Sequence, residues 1–256
     1  MSATVVLEWK FSPPDYFESQ IEIEKNDYTM TISNGKAEAR IDSMVYDANP
    51  LMRDSLHRAL IARFQSVLLC SHEPYKLERP TMTHRVYDDG RKDYVLEVEP
   101  MKIEIKFGKV DISITTKDGI IIDDKRDRIE KKKAIADLVS KHDSDGFLLA
   151  LLQSYENSVR DPDNEFFFLY EIRDALYTKF GNKDKAISKL DIPKDKWNDF
   201  GKLCNEEPVK QSRHRGKHEA PRNATEIELS EVRETAKTMI EAYLRHLDKN
   251  TASVDL

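Results

Sequence analysis

The sequence predicts an α+β domain of antiparallel strands with one long helix, followed by an all-α helical bundle. Three observations carry that prediction. Apolar and polar residues alternate from Val5 to Ile41 and again, after an interruption, from Tyr75 to Thr116, which is the period of half-buried strands. Between these stretches, Leu51 to Cys70 repeats at helical spacing. After Asp145-Gly146 the chain reads helical almost to its end.

With 256 residues, 39% of them hydrophobic, the chain has the material for two cores. The expected division is an α+β domain over 1–122, a charged helical linker over 123–143, a helical domain over 144–248 and a flexible tail over 249–256. In the first part the strand runs are VVLEWKF, IEIE, YTMTI and KAEARID, with Asn34-Gly35 as a hairpin turn because both residues tolerate positive φ. Pro13-Pro14 rules out a central strand at that point.

Asn49-Pro50 opens a helix of about twenty residues, by cap and first-turn preference, with Leu51, Leu56, Leu60, Phe64, Val67 and Leu68 on its apolar face. Strands return at Tyr75 to Glu78, Met82 to Tyr87 and, after a turn at Asp89-Gly90, Asp93 to Glu99. Met101 to Phe107 and Val110 to Thr116 alternate on either side of Gly108, and the domain is expected to end near Gly119. The run DDKRDRIEKKK then reads as a solvated turn leading into the helix AIADLVSKH.

The helical part opens with FLLALLQSYENSV, stopped at Asp161-Pro162, and FFFLYEIRDALYTKF, stopped at Gly181. The second is apolar on more than one face, which suits the central helix of a bundle or half of a dimer interface. Short helices follow at Lys183 to Leu190 and Lys194 to Asn205, separated by Asp191-Ile192-Pro193. The last helix is expected from Ser230, as its cap, to Leu247, and the TASVDL tail should fray.

Charge excludes a general polyanion binder, because the net value is -6 and both signs are well mixed. One window departs from that background: Lys210, Arg213, Arg215, Lys217 and Arg222 are opposed only by Glu219. A positive focus this small suits one phosphate or a short single strand, since duplex affinity comes from neutralising many phosphates along a track. Cys70 and Cys204 have no CxxC spacing and fit a reducing cytoplasm, so neither a disulfide framework nor a metal or other cofactor is expected. The N-terminus lacks signal-peptide regions and the longest apolar run, Phe147 to Leu152, is too short for a bilayer, which points to a cytoplasmic protein without membrane contact. No Gly-rich phosphate loop, GxSxG elbow or kinase set occurs.

The positive window reads QSRHRGKHEAP from Gln211 to Pro221. A guanidinium clamps a phosphate bidentately and offsets charge developing at phosphorus. An imidazole exchanges protons near neutral pH, and RNA carries its own nucleophile, the 2′-hydroxyl. Arg213, followed by His214 and separated by four residues from His218 before the final helix, resembles the Arg-x(4 to 6)-His motif of the HEPN superfamily. The resemblance spans roughly Phe147 to Leu247. It implies a homodimer whose paired motifs cut RNA without metal, leaving a 2′,3′-cyclic phosphate, in bacterial defence or stress response.

On that resemblance Arg213 clamps the scissile phosphate, His218 is acid or base, and His214 orients both. Lys210, Arg215, Lys217 and Arg222 hold flanking RNA phosphates. Tyr170, Glu171, Arg173 and Asn205 are candidates to lie nearby without an assigned role. Arg79 and His84 share the spacing, but lie between β runs with Pro80 after the arginine, and read as structural. Two alternatives stay open: a non-catalytic nucleotide- or protein-binding module regulated through the N-terminal domain, and a helix-turn-helix DNA-binding regulator over Ala186 to Phe200 with Ile192 and Trp197 as apolar pins.

Overall fold

In the computed structural model, strand β1 (Ala3–Ser12) is the axis of the N-terminal sheet. Val5, Leu7, Trp9 and Phe11 are buried, whereas on the alternate face Thr4, Glu8 and Lys10 are not and only Val6 is, so one face of the strand is committed to the core. The structure describes residues 3–80, 82–96, 113–115, 121–214, 216 and 220–252. They fall into two units: Met1–Val67 with Tyr75–Ile135, and Leu68–Pro74 with Ala136–Leu256.

The sheet of the first unit is antiparallel, in the order β2 (Ile21–Glu24), β3 (Tyr28–Ser33), β4 (Lys36–Asp42), β1, β6 (Met82–Tyr87), β7 (Lys92–Leu96). Short β5 (Lys76–Leu77) pairs with the end of β1, which stops at Ser12 before the two prolines. Asn34 and Gly35 form the two-residue turn between β3 and β4 at φ 48° and 78°, the doubly positive geometry a right-twisted hairpin favours.

Helix α1 (Ser43–Ala48) was not visible in the periodicity; Asp42 caps it by accepting from Met44 N at 2.8 Å. Helix α2 (Met52–Ser71) follows Asn49-Pro50 and has 20 residues. Leu51, assigned to its apolar face by spacing, stands before the first turn and is exposed. Phe64 of α2 anchors the aromatic core: its ring lies 5.1 Å from Phe11, 4.7 Å from Phe17 and 5.3 Å from Tyr16, and the Tyr16 hydroxyl donates to its carbonyl at 3.0 Å.

Strands β8 (Ser113–Thr115) and β9 (Ile121–Asp123) pair separately. The strand expected over 101–107, the turn at 108 and the domain end near 119 lie outside the described residues. The charged run, expected as a solvated turn leading into a helix within a helical linker, is helical from its second residue on, in α3 (Asp124–Lys141). It is not wholly solvated either. Lys132 is buried, and with Arg128 it holds the Glu18 carboxylate, Arg128 Nη2 lying 2.6 Å from Oε2. Burial alone would raise the Glu18 pKa, but the hydrogen bonds from Arg128 and Lys132 outweigh it and bring it down to about 2.

The second unit is helical. Asp145 caps α4 (Gly146–Arg160) by accepting from Leu148 N at 2.6 Å. Helix α5 (Glu165–Phe180) ends at Gly181, where φ is 86°, the left-handed stop that glycine makes without strain. Helices α6 (Lys183–Leu190), α7 (Lys194–Asn205) and α8 (Glu226–Ala252) complete it. α5 packs against α4, α6, α7 and α8 through a face that includes buried Phe166, Leu169, Ile172 and Leu176, so it is the central helix.

α8 starts four residues before the cap expected at Ser230. The cap is Thr225: its hydroxyl accepts from Glu228 N at 3.3 Å, and the Glu228 carboxylate accepts from Thr225 N at 2.8 Å, a reciprocal capping box. The helix continues through Ala252, past the tail boundary drawn at 249. Among the described residues no helix is long and apolar enough to cross a membrane.

Candidate functional site

The motif-bearing loop is sewn to the helical unit before it presents any side chain. After α7 ends, Val209 and Arg222 form a parallel bridge: Lys210 N donates to Arg222 O at 2.8 Å, and Arg222 N to Pro208 O at 2.9 Å. Gln211 Oε1 accepts from Ala224 N at 3.1 Å, and Arg213 N donates to Cys204 O at 3.0 Å. Val209 and Ser212 are buried, so the base of the loop belongs to the core.

On this base Arg213 turns outward toward α5. Its Nη1 lies 2.8 Å from Asp174 Oδ2 and its guanidinium carbon 5.2 Å from the centre of the Tyr170 ring. Both members of the ion pair are open to water, with 40% of the arginine and 46% of the aspartate side chain exposed, so it is readily exchanged for another anion. His214 is half-buried and Lys210 exposed. Arg215, Lys217 and His218 lie outside the described residues.

Arg222 is engaged within the chain. Its guanidinium is bidentate on Glu228, at 2.7 and 2.5 Å, and that carboxylate also closes the Thr225 cap. The Arg222 hydrogen bonds, outweighing burial, hold the Glu228 carboxyl at about 2. Arg222 thus also braces the start of α8.

Of the four unassigned candidates, one meets the loop and a second meets it through the first. Tyr170 carries Arg213 on its ring, and Arg173 donates from Nη1 to the Tyr170 hydroxyl at 2.8 Å. The Arg173 guanidinium carbon also lies 5.1 Å from the Tyr170 ring centre and 5.3 Å from that of Trp197. Glu171 is turned to α4, with Ser154 Oγ at 3.5 Å, and Asn205 is half-buried at the end of α7.

The sequence reading missed Asp174, which no motif marks, and Gly201, which carries a signal: a glycine inside a helical pattern. A Cβ at Gly201 would meet the Arg173 guanidinium at 2.9 Å. Cys204 lies on the same helix, and burial pushes its thiol well up, so it is no thiolate nucleophile.

The α6–α7 turn is a packing device. Ile192 and Trp197 are buried, and Asp191 adopts φ 54° where glycine is more usual. Exposed Asp195 and Asp199 line a groove of about 430 Å³ together with Glu231, Glu234 and Lys196.

A second polar cluster lies elsewhere in this unit. Arg233 of α8 holds buried Glu165 of α5 bidentately, Nε to Oε1 at 2.6 Å and Nη2 to Oε2 at 2.8 Å. His72 Nε2 is 3.4 Å from the same carboxylate, and its Nδ1 is 3.3 Å from the Tyr155 hydroxyl. Burial raises the Glu165 carboxyl, but Arg233 and His72 more than reverse this and leave it below its ordinary value. Both ring nitrogens of His72 face protein groups, which makes the cluster a tie between elements. Among the described residues no three His, Cys, Asp or Glu side chains converge as a metal site would require.

No family model, curated protein or solved structure matches the chain.

Proposed function

We propose that the helical unit is a HEPN-like, metal-independent endoribonuclease that binds single-stranded RNA at the Val209–Arg222 loop. The observation that carries this reading is the seat of Arg213: backbone fixed to Cys204, guanidinium half exposed on Tyr170, and, among the described residues, only an exchangeable surface carboxylate as ionic partner. A phosphate offers that guanidinium two acceptors and a full negative charge, a stronger partner than one exposed carboxylate oxygen.

In the reaction His218 takes the proton of the ribose 2′-hydroxyl, the 2′-oxygen attacks phosphorus, and the bond from phosphorus to the 5′-oxygen breaks. The leaving oxygen takes a proton from an imidazolium. The products are a 2′,3′-cyclic phosphate and a 5′-hydroxyl, and neither water nor metal is consumed. Arg213 offsets charge on the pentacoordinate phosphorus, His214 orients the pair, and Lys210, Arg215 and Lys217 hold neighbouring phosphates. A homodimer would set two such motifs across one cleft, with the N-terminal unit governing access.

A specific observation favours a second reading, a non-catalytic phosphate-binding module. Arg213 and Arg222 are both already neutralised by carboxylates of this chain, Asp174 and Glu228, which lowers the local positive charge available to a long strand. DNA binding through α6 and α7 is disfavoured, because Asp195, Asp199, Glu231 and Glu234 would repel a polyanion there. Mixed RNA incubated in EDTA with wild type, Arg213→Ala and His218→Ala separates the first two readings. The nuclease cuts only as wild type, whereas the binding module leaves RNA intact but retained by wild type and lost by Arg213→Ala.

A further inference from the structure

Arg173 is a cation without an anion among the described residues. Its hydrogen-bond partner is a neutral phenol, its two stacking partners are neutral rings, and no carboxylate among the described residues pairs with it. Its Nε is buried and has no acceptor among them. A part-buried guanidinium with five donors and only neutral neighbours is costly unless an anion completes it. The fold nevertheless keeps it in place. Gly201, inside α7, gives up helix stability relative to alanine, and its missing Cβ is the space the guanidinium occupies.

We propose that Arg173 is a second phosphate ligand, forming with Arg213 on the shared Tyr170 ring a two-guanidinium subsite for one phosphodiester, of which Asp174 occupies only the Arg213 side in the free protein. The proposal takes the source of the phosphate, RNA, from the reading above; the subsite itself stands on the geometry. The two guanidinium carbons lie 5.1 and 5.2 Å from one ring centre, so they are neighbours on the same phenol, and a phosphate drawing them together is what the proposal requires. Asp174 follows Arg173 on α5 and places a carboxylate oxygen 2.8 Å from Arg213 Nη1, where a phosphate oxygen would sit. Because the pair is exposed, its contribution is small against a charge-assisted bidentate contact to phosphate.

The test uses the full chain and two probes: a labelled single-stranded 2′-O-methyl oligoribonucleotide of about twelve nucleotides, which lacks the nucleophile and cannot be cut, and inorganic pyrophosphate. Oligonucleotide affinity is measured against salt, and pyrophosphate is read as a rise in Tm. Arg173→Gln should weaken the oligonucleotide about tenfold and lower the slope of log K against log salt by about 0.7, the value of one single-strand phosphate contact. Arg173→Lys should keep the slope and lose part of the affinity, because a point charge replaces the fork. Gly201→Ala keeps the charge but displaces it, and should also weaken binding. Asp174→Asn should strengthen binding by up to about fivefold.

Circular dichroism checks that each variant folds; should Arg173→Gln not fold, Gly201→Ala and Asp174→Asn carry the decision. Slope and affinity unchanged in Arg173→Gln, or in the other two if it does not fold, overturn the proposal. So does a wild type that binds neither probe. A wild type that shows the Arg173-dependent binding yet leaves ordinary RNA intact supports the subsite and removes the nuclease.

Discussion

Replacing Arg233 with alanine strips the guanidinium from a carboxylate that is 1% exposed, and leaves Glu165 with only His72 Nε2 at 3.4 Å. Breaking a buried pair in this way costs about 3–5 kcal/mol, but the carboxyl has an escape. It can take up a proton, which for a group of ordinary pKa costs about 3.4 kcal/mol at pH 7 and about 1.4 kcal/mol less for each unit the pH falls. The loss should therefore be about 3 kcal/mol at pH 7 and about 1 kcal/mol at pH 5.

The sign in the parent protein runs the other way. Its Glu165 carboxyl is held below the ordinary value, so the stability it contributes is present above that value and is lost as the pH falls through the lowered one. Urea unfolding read by Trp197 fluorescence in a Trp9→Phe background reports the helical unit, since the chain has two tryptophans and Trp9 is in β1. Glu165→Gln added to Arg233→Ala should recover much of the pH 7 loss, because no buried charge is stranded. A penalty below about 0.5 kcal/mol at pH 7, or equal penalties at both pH values, would refute the reasoning.

Two further outcomes follow from named contacts. Glu18, depressed to about 2 by Arg128 and Lys132, contributes stability to the first unit that is fully present above about 4.5 and lost as the pH falls toward 2; Trp9 fluorescence should show that acid loss, and Glu18→Gln should flatten it. Thr225→Ala removes one arm of the capping box and should cost about 1 kcal/mol, seen as a lower Tm of the helical unit with its circular dichroism spectrum otherwise kept.

What the sequence made legible was local. Asn34-Gly35 could be read because the positive φ a two-residue hairpin needs is a property of those residues themselves. The centrality of α5 followed from apolar residues on several of its faces. The start of α8 was misplaced although the threonine and glutamate of its capping box were present, because Ser230 offered a second cap beside the apolar stripe. Lys132 looked solvated because its partner, Glu18, lies 114 residues away in sequence. At the candidate site the motif supplied Arg213, but not Asp174, 39 residues distant, nor the dependence of Arg173 on the missing Cβ of Gly201. Those relations arise from packing between helices, which period and spacing do not encode.

The central claim is that the loop around Arg213 cuts RNA without metal. The most direct measurement is incubation of the purified full chain with end-labelled RNA in EDTA, beside Arg213→Ala and His218→Ala, with the product termini identified. The account predicts fragments ending in 2′,3′-cyclic phosphate from wild type and intact RNA from both variants. Intact RNA in all three, or equal cutting by all three, would contradict it.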